Sequence, residues 1–332
     1  MNHDDPTIQW LLKAGDASVR TFTLIDLLDA PPDAPEVGAA RAQIPRSPRI
    51  RSLLAGQGAG RRRSGQSLAV HTGGFGVHPY KKWDGAHWRL VSLVELGIPP
   101  HNRRARAAAD QVLCWLTGES HRRSIRRING LTRRCASQEG NALAACSRLG
   151  LTGDPRVQQL AHSLLEWQWP DGGWNCDKEE RAHHSSFYES LAPLWGLIEY
   201  HRATGDATCL SAAQRTAELF LRHRLFRSDK TGKVIDPKWL QLHYPLYWHY
   251  DILQGLLILS RLGPLTDPRL DEALNTLAAK RLPDGAWRPE GYFWNRPGRR
   301  TSNVEVVDWG RGEPNTMITL NALRVLKAAG RL

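Results

Sequence analysis

The strongest constraint on this chain is a pattern that it repeats five times. An apolar helix ends, a loop rich in glycine and aromatic residues follows, and a second apolar helix stops at a glycine. The second helices are expected over 83–97, 137–150, 184–200, 248–263 and 313–330. Gly97, Gly150, Gly205, Gly263 and Gly330 lie at or just past their ends. The period is roughly 50–65 residues, too regular for unrelated helices. Two loops repeat closely: Pro170-Asp171-Gly172-Gly173-Trp174 and Pro283-Asp284-Gly285-Ala286-Trp287. Gly73-Gly74-Phe75-Gly76 is a weaker third copy. Each combines turn residues with a large aromatic ring suited to packing under the turn.

The first helices share an entry signal. Asp154-Pro155 and Asp267-Pro268 place an N-capping carboxylate ahead of a proline at the first helical position, and Asp206 is a looser copy. No stretch alternates convincingly with period two, so strands should be few. Regular helix pairs stack into a solenoid or close into a ring. The long, aromatic connecting loops favour the ring, with loops gathered over one end. The expected fold is therefore all-α: an α/α toroid of about five helix pairs over 75–332. Ahead of it, 1–55 reads as a helical extension, with an amphipathic helix over 16–28 capped by Asp16 and a second over 34–44 beyond Pro31-Pro32. The Gly/Arg/Ser-rich segment 56–74 reads as a flexible loop.

Composition sets outer bounds. With 332 residues, 41% of them hydrophobic, the chain can bury a large core. It contains no apolar run of membrane-spanning length and no secretory pattern at its start, so the cytoplasm is the expected location. Five cysteines without a Cys-x-x-Cys pair argue against a disulfide framework and a zinc knuckle. Cys114 and Cys146 read as core, and Cys176 as an available thiolate. A net charge of +12 is concentrated in runs such as Arg61–Arg63, Arg103-Arg104 and Arg122-Arg123 with Arg126-Arg127. These form either a solvated surface or a patch for nucleic acid, anionic lipid or a phosphorylated ligand.

In a ring of this kind the polar residues that open each second helix converge on one end. His87, Glu139, His184, His249 and Asp251 are thereby the candidate catalytic groups. Trp88, Phe187, Tyr188, Trp248, Tyr250 and Asn315 are the candidate substrate-binding groups. His184 and His249, with a carboxylate such as Glu139, Glu189 or Asp251, suit a general acid/base set or a divalent-metal site such as zinc.

The segment Gln168-Trp169-Pro170-Asp171-Gly172-Gly173-Trp174 resembles the QW repeat of squalene–hopene and related triterpene cyclases. The phrases GAHWRLVSLVELG, SQEGNALA, DGGWN, HSSF and WHYDIL are similar to bacterial prenyltransferase/squalene-cyclase-repeat proteins. The resemblance implies the toroid shared with protein prenyltransferase β subunits, and it puts His249 where those enzymes bind zinc. The chain departs from the pattern in lacking Asp-x-Asp-Asp, Asp-Asp-x-x-Asp and an Asp-x-Cys at His184-Ser185-Ser186. The expected function is a terpenoid cyclase- or prenyltransferase-like enzyme. Its largely apolar, isoprenoid-type small-molecule substrate would sit in a central aromatic, His-lined cavity. The alternatives are a non-catalytic scaffold or nucleic-acid-binding module using the arginine clusters, and a carbohydrate-active lyase or hydrolase, which needs paired carboxylates.

Overall fold

In the computed structural model, residues 3–58 and 74–332 are described. Most of the 56–74 segment, including Arg61–Arg63, lies outside them. The described residues are mostly helical, with a single two-stranded antiparallel hairpin, β1 (Arg126–Ile128) and β2 (Leu131–Arg133). Four helices form the N-terminal part: α1 (Pro6–Lys13), α2 (Ala17–Phe22), α3 (Pro35–Gln43) and α4 (Pro48–Leu54). The helix expected over 16–28 is α2 continued by a π-helical turn over Thr23–Leu27, and Asp16 caps it through Ser18 N at 2.8 Å.

The repeated part follows. Its helices are α5 (Ala86–Glu95), α6 (Arg103–Leu116), the short α7 (Glu119–Arg123), α8 (Ser137–Arg148) and α9 (Pro155–Trp167). Then come α10 (Phe187–Thr204), α11 (Ala207–Arg222), α12 (Ile252–Leu259), α13 (Asp271–Ala279) and α14 (Thr316–Ala328). The expected second helices are α5, α8, α10, α12 and α14. Each packs against the next, while α6, α9, α11 and α13 lie between and against them. Asp154, Asp206 and the Asp267 preceding α13 cap through backbone N–H groups at 2.8–3.0 Å, as their sequence position implies.

The tightest crossing is between α8 and α10. A methyl group on Gly140 would lie 2.3 Å from Pro193 N, and one on Gly196 would lie 2.5 Å from the Gly140 carbonyl oxygen. Two backbones in direct contact tolerate only hydrogen at these positions.

The aromatic loops act as staples. Trp174 is buried; its indole N–H donates to Leu164 O of α9 at 3.1 Å, and its backbone N–H to Ser190 Oγ of α10 at 3.0 Å. Trp287 repeats this with Leu277 O of α13 at 2.8 Å and Thr319 Oγ1 of α14 at 2.9 Å. Gln168 locks the first copy, donating to Gly172 O, Ala212 O and Thr216 Oγ1 at 2.9–3.0 Å.

The N-terminal helices are not a separate unit in packing terms. Ile8, Leu11, Leu27 and Leu53 join the same core as the repeated part. α4 packs on α5, and α2 with its π-turn packs on α14, where Arg324 pairs with Asp26 and Lys327 Nζ reaches Asp29 at 2.7 Å.

The staple generates a direct prediction. Trp174→Ala should cost about 3–5 kcal/mol, the range for truncating a fully buried tryptophan. The urea midpoint should fall with an unchanged m-value. A loss below about 1 kcal/mol would show that the loop holds without its tryptophan.

Candidate functional site

The N-terminal ends of the second helices do gather polar groups, but the structure uses them differently from one another. Asp251 is fully buried and capping: Oδ1 accepts from Gln254 N at 2.9 Å and Oδ2 from His243 N at 2.9 Å. Both oxygens are occupied in holding the 243–251 segment against α12. Asn315 is likewise a cap, accepting from Met317 N at 3.0 Å and Ile318 N at 3.1 Å. Glu139 is buried against Arg134, at 2.7 Å, and His121, at 3.1 Å. Burial works to raise its pKa, but these partners outweigh burial and the carboxyl stays below its usual range. It is a paired carboxylate rather than a free base.

His87 is buried among Tyr80, Trp88 and Trp115, and neither ring nitrogen has a hydrogen-bond partner. Burial drives its pKa down to about 3, so the ring is neutral. His249 is clamped between Phe293, ring centroids 3.3 Å apart and nearly parallel, and Trp248 at 3.9 Å. Burial, with Lys82 nearby, likewise lowers its pKa to about 3.

His184 is exposed, packed on His183 at 3.9 Å, and it lines an open groove instead of the interior. His184 and His249 share no contact, and each faces a different space. The pairing of these two histidines as a metal site therefore finds no support in the geometry: one ring is outside, the other sandwiched inside.

At this end of the second helices the interior is nearly full. The segment from His243 to Tyr250 occupies it, with Tyr247 at φ 58° stacked on Trp83 at 4.0 Å. The space left beside Tyr188, Trp195, Trp248 and His249 is about 20 Å³, room for little more than a water molecule. Trp88 and Tyr250 are core: Trp88 donates to Tyr80 O at 3.2 Å and Tyr250 to Leu225 O at 2.8 Å. A substrate-sized space lies outside, in a groove of about 860 Å³. Phe187, Tyr188, Leu219, Ile235 and Trp239 wall it, and His183 and His184 stand among its lining. Phe187 stacks on Trp239 at 4.5 Å, and the Tyr188 hydroxyl accepts from Trp239 Nε1 at 3.0 Å.

One group of side chains has the composition of a metal centre. Cys135, just before α8, Cys176, in the loop after the Trp174 staple, and Glu189, in the first turn of α10, bring their ligand atoms within 4.8 Å of one another. Glu189 is buried; Oε2 accepts from Ser137 N at 3.0 Å, and Cys176 Sγ lies 3.6 Å from Oε1. The cysteines are half-buried. The hydrogen bond between them lowers the pKa of Cys135 and raises that of Cys176. Two thiols and a carboxylate oxygen supply three ligands of the kind that hold a zinc-type divalent ion with its fourth position left to another group. Among the described residues this is the one group of three such ligands so close together.

Cys176 is legible in the sequence as an available thiolate, and Glu189 as a helix-start carboxylate. Cys135 carries no spacing signal that would join them. No protein-family model matches the chain, and no curated protein matches it.

His87 supplies a pH prediction. Its folded-state pKa of about 3 lies below the ordinary 6.5, so the unfolded chain takes up the proton first. Its contribution is intact above pH 6.5 and is lost as pH falls from there toward 3, at about 1.4 kcal/mol per pH unit. His87→Leu should flatten the acid limb of the stability curve by that slope. An unchanged limb would mean that His87 is protonated or solvated in the folded protein.

Proposed function

We propose that α5, α8, α10, α12 and α14 are the inner helices of an α/α toroid, closed between α14 and α5 by the N-terminal helices. On this scaffold the protein is a terpenoid cyclase- or prenyltransferase-like enzyme acting on a largely apolar, isoprenoid-type substrate. The carrying observation is the groove of about 860 Å³, whose walls are Phe187, Tyr188, Leu219, Ile235 and Trp239. Its size and apolar lining suit a small hydrophobic ligand. Ile235 is one of few large apolar side chains left exposed, and it faces this groove. With only about 20 Å³ left beside Trp248 and His249, the substrate moves outward from the central cavity to the groove.

The chemical assistance falls to Cys135, Cys176 and Glu189. These residues would hold a divalent metal such as zinc, which when bound supplies Lewis acidity. Ser137 N fixes one carboxylate oxygen of Glu189, and Tyr188, next in the chain, turns its ring into the groove. Aromatic walls exclude water and favour cationic carbon through their π faces.

The carbohydrate reading needs two free carboxylates. Glu139 is paired with Arg134 and Asp251 is spent as a cap, which disfavours it.

Farnesol, an uncharged isoprenoid alcohol, is the test ligand, followed by the change in intrinsic tryptophan fluorescence. Wild-type protein should bind it saturably, and Ile235→Asp should weaken binding roughly tenfold or more by placing a charge on the apolar wall. Ile235 is exposed, so the variant should melt as wild type. Equal affinity in the two proteins, or no saturable binding, would refute the groove as the substrate site.

A further inference from the structure

A second cavity lies at the other ends of the second helices, away from the cysteines. Glu95 is the last residue of α5 and Arg148 the last of α8. Arg202 lies in the last turn of α10, Arg261 just past α12, and Arg324 in the second half of α14. All five line a cavity of about 300 Å³, which Asp26 of the N-terminal π-turn also borders. Four arginines from four distinct helical elements meet at one small space.

The charges there do not cancel. Arg261 pairs with Glu199, and Arg324 pairs with Asp26. Arg202 donates to the Arg261 carbonyl at 2.5 Å, the expected use of an arginine at a helix C-terminus. Arg148 makes no hydrogen bond and no ion pair among the described residues. Arg148 and Arg202 thus form no direct ion pair, and the nearby Glu199 is shared among them and Arg261. The remaining acid, Glu95, forms no ion pair either. Burial pushes its pKa up to about 7 despite Arg261, Arg148 and Arg324 around it. Burial, with Arg261 and Arg324 nearby, lowers the pKa of Arg148 to about 10 against the opposing pull of Glu199 and Glu95.

Guanidinium groups left unpaired at a concave surface recognise planar or tetrahedral oxyanions through paired N–H donors. A carboxylate would satisfy one of the two guanidinium groups, whereas a phosphoryl dianion satisfies both. The volume suits a phosphate or diphosphate with a small organic residue and excludes a polymer. We propose that this cavity is a binding site for a phosphoryl dianion, free or carried on a small molecule, held by Arg148 and Arg202 with Arg261 and Arg324 as its charged wall. The site is separate from the groove and the cysteine cluster, so its test does not depend on the proposed reaction.

Inorganic diphosphate and glycerol 3-phosphate are titrated calorimetrically into the full chain, with sodium chloride at matched conductivity as the control. At least one of them should bind at a single saturable site. Tighter binding of diphosphate assigns the free anion, and tighter binding of the monoester assigns an organic carrier; both support the site. Arg148→Gln should weaken binding roughly tenfold or more, as expected for a buried charge-assisted contact. Arg122→Gln, on exposed α7, should leave it unchanged. Above the Glu95 pKa of about 7, Glu95→Gln should bind more tightly than wild type, because a competing negative charge is gone. If Arg148→Gln does not fold, Glu95→Gln decides, and unchanged affinity there overturns the proposal. So does the absence of saturable binding, or an equal loss in Arg122→Gln, which would reduce the effect to general surface charge.

Discussion

The architecture depends on a hydrogen-bonded tryptophan under each of two turns. Trp174 ties the carbonyl of Leu164 in one helix to the hydroxyl of Ser190 in the next, and its own carbonyl accepts from Ser186 N at 2.8 Å. The same residue thus ends one helix–loop unit and fixes where α10 begins. Trp287 does the same between α13 and α14, and its carbonyl accepts from Asn315 N at 2.8 Å. An indole buried with its N–H paired supplies both a large apolar area and an orienting bond. Once α10 starts at Phe187, Glu189 in its first turn is aimed at Ser137 and at the cysteines.

Desolvation then sorts the polar groups. At one end of the helices, burial neutralises His87 and His249 and raises the pKa of Glu189, while Glu139 keeps its charge only because Arg134 and His121 face it. At the other end, arginines outnumber carboxylates around the cavity that Glu95 borders. Thiols and histidines gather at the first end, and guanidinium groups outnumber acids at the second.

Local rules made much of the fold legible in the sequence. Asp154, Asp206 and Asp267 cap as their positions imply, Gly205 takes the left-handed conformation at the end of α10, and the two Pro-Asp-Gly loops carry matching tryptophan bonds. Helix starts were less legible: α5, α10 and α14 begin three residues later than expected, and the helix expected from 248 begins at Ile252. The caps and stacking of the 243–251 segment hold it in an irregular course that turns at Tyr247, and apolar content alone gave no sign of that. The candidate site was less legible, because its members meet only in three dimensions. His184 and His249 each open or precede a helix, yet one points into a surface groove and the other is sandwiched by Phe293. Cys135 lies far from Cys176 in sequence and becomes its neighbour because Arg134 N bonds Asn175 O at 3.0 Å, aligning the strand end with the loop.

The central claim is that the stapled loop and α10 assemble a metal-binding set from Cys135, Cys176 and Glu189. The most direct measurement is the absorption spectrum of cobalt-loaded protein purified without a histidine tag. The account predicts one bound equivalent with thiolate-to-cobalt charge-transfer intensity that drops in Cys135→Ala and in Cys176→Ala but not in Cys114→Ala. Absence of thiolate charge transfer in the wild-type protein, or a spectrum untouched by removing Cys135 and Cys176, would contradict it.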